Sequence, residues 1–314
     1  MRRRRSCAHR DASDRGSVAV VVAAAFVPLT MALAAVTDGG RVWVEKQDLQ
    51  NEVEASAIAV AQTIALGGSS CAPSALALVD GQATCTTSVR SNGSVATVTA
   101  ADDVDLYFAQ LFGRDSAGID AAASVRIGPA ESTSGLRPVA MCIESSGLVE
   151  WLASGKTSTA TYTIGIDAAS AACGSDVAGN WGVLDFDGGS NSMSDAQNWI
   201  AQGYDGSVSV GDSVDGDPGI PSPALDLDEL VGQSIVLPVF ENPRLEGSNA
   251  LYDIAGFVKV RIVEVNLSGS ASRRNVKVVF EKGAVNGTAG DSDAPDFGLS
   301  SWSVCSFDGK GDCS

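Results

Sequence analysis

Nucleophile-and-base chemistry needs an imidazole beside a serine or cysteine. This chain has one histidine, His9, inside an arginine-rich N-terminus. Its absence from the rest of the chain removes Ser-His-Asp and Cys-His mechanisms there, and histidine-based metal sites with them. Paired carboxylates remain. Asp185 and Asp187 alternate on one face of an extended segment and could share acid–base work, although such residues more often edge a turn. Ser154-Gly155-Lys156-Thr157 resembles the end of a phosphate loop, but the pattern requires glycine at position 150, which is Glu150. Acidic stretches at 212–217 and 291–296 offer oxygens of the kind calcium takes. Neither has EF-hand spacing, and solvated turns are the simpler reading. Gly179-Asn180-Trp181-Gly182 reads as a tryptophan anchoring a tight turn. No catalytic, cofactor or metal set emerges, and the chain reads as a non-enzyme.

The cysteines are the other reactive groups. Cys7 lies in the basic N-terminus, and six more follow at Cys71, Cys85, Cys142, Cys173, Cys305 and Cys313. An even set outside the cytoplasm reads as disulfides. Six cysteines allow fifteen pairings. Proximity gives Cys71–Cys85, Cys142–Cys173 and Cys305–Cys313 as the first expectation. No CxxC pair accompanies them, which speaks against zinc.

These groups need an element to carry them, and one stretch organises the chain. No charge occurs from residue 16 to 37, and the 20 residues from 17 to 36 form an apolar helix about 30 Å long, the thickness of a bilayer core. Pro28 within it is tolerable in a membrane helix. Six arginines and two aspartates give residues 1–15 a charge of +4, against −17 for the whole chain, so residues 37–314 carry −21. The positive-inside bias puts the N-terminus in the cytoplasm and the bulk outside. The acidic bulk argues against nucleic-acid binding. A cleaved secretory signal is the alternative, with Ala32-Leu33-Ala34 as a small-x-small site before Ala35.

Beyond the exit, Val42, Leu49, Val53, Ala57, Val60 and Ile64 recur at spacings of 7, 4, 4, 3 and 4, which is one helical stripe. It could pack on its own domain or on sister subunits, as in a pilus shaft. Gly67-Gly68 ends the helix.

The order Arg15-Gly16-Ser17-Val18-Ala19-Val20, apolar run, Asp38-Gly39-Gly40-Arg41, then Leu49-Gln50-Asn51 and an alanine-rich helix resembles the N-terminal region of TadE/TadG-like proteins of tight-adherence (Flp-type) pilus assembly. The resemblance covers residues 15–66 well and is looser to Arg126. It implies a membrane-anchored structural component of a Flp/Tad pilus assembly or secretion apparatus, scaffolding or adhesive at the cell surface. Its partners would be other Tad/Flp subunits, the membrane and a cell-surface ligand. The alternative is a secreted, signal-cleaved binding or adhesive protein. The fifth residue after Gly16 is Val21, where prepilin-peptidase substrates have glutamate, so pilin-type processing is not implied.

The expected fold class is α+β. A basic cytoplasmic tail (1–16) precedes a transmembrane helix (17–36) that continues into the amphipathic helix and a small α+β module (37–128). That module holds a hairpin around Ser91-Asn92-Gly93, a helix from Asp102 to Gly113 with Val104, Phe108, Leu111 and Phe112 on one side, and a strand over 119–127. A linker (129–138) leads to a β-rich antiparallel domain (139–314). Its main strands are expected at 234–240, 256–267 and 275–281, with one wet face.

Overall fold

The computed structural model describes residues 14–68, 71–79, 82–90, 93–165, 183–189, 193–216, 226–244, 250–268, 274–291, 294–306 and 313. The 179–182 motif and Cys173 lie outside the described residues, as does part of each acidic stretch.

The first element is a single helix, α1 (Asp14–Ala65), 52 residues and roughly 80 Å long. Pro28 sits inside it and removes one backbone donor. The Thr30 hydroxyl lies 3.0 Å from the Phe26 carbonyl and 2.9 Å from that of Val27. A one-turn helix α2 (Pro73–Leu76) follows, then the hairpin β1 (Gln82–Arg90) and β2 (Gly93–Asp105), and then β3 (Ser116–Pro129). The pairing Arg90↔Gly93 leaves a two-residue connection.

The helix expected from Asp102 does not form. Residues 102–105 continue β2, pairing Asp102↔Ile119 through Asp105↔Ser116 with β3. Val98, Ala100, Val104 and Leu106 are buried on this period-two pattern, and pairing with a long neighbour overrides the local capping signal. Only residues 109–112 turn, as a 3-10 helix.

The chain continues through β4 (Ser132–Thr133), β5 (Met141–Cys142), α3 (Ser146–Ala153), β6 (Tyr162–Gly165), β7 (Leu184–Asp185) and α4 (Met193–Gln202). Strands β8 (Val208–Ser209), β9 (Ser213–Gly216), β10 (Ser234–Arg244), β11 (Leu251–Asn266), β12 (Asn275–Glu281), β13 (Gly283–Ala284) and β14 (Leu299–Ser306) complete it. The architecture is α+β and mostly strand.

Two main sheets result. The first has the order β1-β2-β3-β14-β13, so β14, the last of the described strands, returns to lie antiparallel beside β3. The second runs β5-β10-β11-β12-β6, with β9 added beside β11 and β7 beside β9. A bulge between Val239 and Phe240 skips Ala255 of β11 and reverses which face even-numbered residues take. Val258, Val260 and Ile262 therefore face one core, with Trp151 of α3 stacked on Phe280 at 5.2 Å. Tyr252 and Ile254 face the other. The wet face is confined to one end, where Arg261 binds Glu281.

The first sheet holds α1. Leu49, Val53, Ala57, Val60, Ala61 and Ala65 are buried against Ala96, Val98, Ala121, Ala123 and Val125. Many of these are alanines, so the helix and sheet backbones can approach closely. Buried Ser56 donates to the Ala75 carbonyl at 2.9 Å and ties α1 to α2. Cys71 and Cys85 are disulfide-bonded, with Cα atoms 5.7 Å apart, and clip the end of the helical region to β1.

Leu49→Ala is expected to lower the stability of the full chain in detergent by about 2–4 kcal/mol, because the cavity opens in a packed core. Removing both Cys71 and Cys85 as serines should cost roughly 3 kcal/mol. Chemical denaturation followed by circular dichroism measures both.

Candidate functional site

Local sequence divides the single helix α1 into two halves of different character. Residues 18–36 are apolar and exposed, apart from half-buried Ala34. An 18-residue window of α1 has a mean hydropathy of 2.4, and the helix is long and apolar enough to cross a membrane. The second half is sheet-packed. Of the sequence stripe, Leu49, Val53, Ala57 and Val60 are buried on the chain's own sheet, and Val42 and Ile64 are partly buried against the same cluster. The stripe here lies on the chain's own first sheet, chiefly β2 and β3, with Ala75 of α2 in the same cluster.

The halves meet at residues 37–41. Thr37 returns its hydroxyl to the Leu33 carbonyl at 2.8 Å. Asp38 is a buried carboxylate, only 7% exposed. It accepts hydrogen bonds from three consecutive backbone amides: Tyr107 at 3.0 Å, Phe108 at 3.0 Å and Ala109 at 2.8 Å. These are the free N–H groups that open the 3-10 turn, so Asp38 caps a helical turn from another element. Burial opposes its ionisation. The amides of residues 109, 107 and 108 and the nearby Arg41 outweigh that, and hold the carboxyl below its ordinary value of 3.8. Arg41 lies 4.6 Å from the centroid of the Tyr107 ring and 3.8 Å from Glu45. Gly39 and Gly40 face open space.

In the sequence Asp38 stands out as the first charge after the span and as the start of Asp38-Gly39-Gly40-Arg41. Its partners lie about seventy residues away, beyond the reach of any local pattern. The phrase Asp38-Gly39-Gly40-Arg41 was the available signal.

The other chemistry-bearing residues stand apart. Asp185 is buried and accepts from the Asp187 amide, and Asp187 accepts from Gly189, so this acidic pair shapes a turn. Lys156 follows the end of α3 and bonds Asp296 at 2.5 Å rather than lining a phosphate loop. Asp212 accepts from the Ser209 amide, and Asp291 pairs with Arg126. Among the described residues no group of three or more His, Cys, Asp or Glu side chains could hold a metal ion. Cys305 is bonded to Cys313, and Cys142 is disulfide-bonded as well. The partner expected for Cys142, Cys173, lies outside the described residues.

These features define a protein built on one long helix, half of it a bare apolar span and half a support for a β-rich body. Residues 16–63 match the family model described as "Putative Flp pilus-assembly TadE/G-like". The match takes in both halves of α1 and the Asp38 junction. No curated protein and no solved structure matches the chain.

Asp38→Asn is expected to raise amide exchange at residues 107–109 by roughly tenfold or more, because a charge-assisted cap becomes a neutral one. Since the folded carboxyl titrates below 3.8, its stabilisation is complete above that value and is lost as pH falls through the lower folded one. Protection factors at 107–109, measured by hydrogen exchange, should fall in the wild-type protein over that acidic window and stay flat in Asp38→Asn.

Proposed function

We propose that the protein is a membrane-anchored structural component of a Flp/Tad-type pilus assembly or secretion apparatus. The N-terminus lies in the cytoplasm, residues 17–36 cross the membrane, and residues 37–314 scaffold or adhere at the cell surface. Its partners are other subunits of that apparatus. The carrying observation is that one family match, residues 16–63, coincides with an exposed apolar span running without a break into a sheet-packed half. The match supports a pilus-related, structural role. Six arginines before the span support the orientation. Disulfides in the body suit a location outside the cytoplasm.

Pilus subunits often pack through helices. In this chain the stripe over 49–60 is already occupied by its own sheet. The free faces of α1 and the span itself are the surfaces left for assembly.

Intact mass and N-terminal sequencing of membrane and medium fractions test the reading. A membrane species starting at or near Met1 is expected, with residues 37–314 digested by protease added outside the cell. A soluble species starting at Ala35 would replace the anchor with a secreted binding protein, whose sheet-packed helix half would still be intact. A start at Ser17 would move the protein into the pilus itself.

A further inference from the structure

Several large apolar side chains lie uncovered at one place on the body. Tyr107, Leu111 and Phe112 are 62%, 80% and 66% exposed, and Phe108 is 37% exposed. They occupy one loop and its 3-10 turn, so they form a contiguous group. Exposed apolar side chains gathered in this way mark a contact surface.

The loop's position along α1 is fixed. The Asp38 carboxylate holds amides 107–109, and Asp38 lies about 3 Å of helix rise beyond Val36. Ala34, one turn earlier on the same face, is the one residue of 18–36 that is half-buried rather than exposed. The loop therefore stands where α1 changes from apolar to polar. Trp43, 65% exposed, follows about 8 Å further along the helix.

We infer that residues 107–112 seat in the outer interface of the bilayer that α1 crosses, as a second contact that does not span it. This rests on the membrane reading proposed above. The composition fits. Aromatic rings favour the headgroup level, and leucine and phenylalanine reach the acyl boundary beneath it. Arg41 on the Tyr107 ring sets a cation at headgroup depth. The nearby Asp102, Asp103, Asp105 and Asp115 are exposed and repel an anionic surface. The contact is thus apolar, and zwitterionic phosphatidylcholine suffices as its occupant. The tilt and rotation of a spanning helix are set by its packing neighbours and its interfacial anchors. A second contact held by Asp38 fixes both motions and sets the angle at which the sheets leave the membrane.

The test uses the full chain in phosphatidylcholine nanodiscs, in a Cys7→Ser background. Nitroxide labels are placed through Leu111→Cys, Leu29→Cys and Thr163→Cys. Leu29 lies in the span, and Thr163 is exposed on the edge strand β6. Each label's collision rate with oxygen, which enters lipid, is compared with that of a water-soluble nickel chelate. The expected result is an oxygen-to-nickel ratio several-fold higher at Leu111 than at Thr163, and higher still at Leu29. Adding Asp38→Asn should lower the ratio at Leu111 and leave that at Leu29 unchanged. A Leu111 ratio equal to that at Thr163, with Leu29 in lipid, overturns the interfacial seat. The anchor then stands, and the patch is left to a protein partner. A Leu29 label in water overturns the anchor and this inference together.

Discussion

A helix cannot alter its backbone to suit its surroundings. Only its side chains can change, and α1 has to meet two surroundings in one uninterrupted rod. In the apolar half every backbone group is closed within the helix except where Pro28 intervenes, and the hydroxyls of Thr30 and Thr37 fold back on their own carbonyls. In the other half the adaptation is size. Ala57 and Ala61 meet Ala96, Ala121 and Ala123, so the helix lies close on the sheet. Small side chains bury little area apiece. The Ser56 bond and the Cys71–Cys85 link act at the same end and supplement a lean core.

Where the two regimes meet, a carboxylate is held almost out of water. Its charge is tolerable because three amides converge on it, and those amides would otherwise be unpaired at the start of a helical turn. Each group thus answers the other's need. The loop that carries the amides gains a fixed position that its exposed aromatic residues could not give it. The rest of the first sheet follows, since β2 leads into that loop and β3 leads out of it.

Local pattern revealed what local pattern can hold. The apolar span, the stripe of α1, the hairpin and the cores of β10, β11 and β12 all repeat within a few residues. The described disulfides also join near neighbours in sequence. Features set at a distance were not legible. Asp102 looked like a cap because nothing local announces that β3 pairs through Asp105↔Ser116. The bulge opposite Val239–Phe240, which assigns Val258 and Ile254 to different cores, is marked in the sequence only by Gly256 within β11. Asp38 and its three amides are about seventy residues apart. The stripe was readable as buried, but not as buried against its own sheet.

The return of β14 to the first sheet joins segments far apart in sequence. It lies beside β3, and its Trp302 and Val304 pack into the cluster beneath α1. In synthesis α1 precedes β14 by more than two hundred residues. The platform under the helix thus stays one strand short throughout synthesis, and β3 waits with an open edge. Completion of the first sheet therefore waits on β14. A chain cut short before Leu299 would display that edge, a surface that proteases and chaperones read readily.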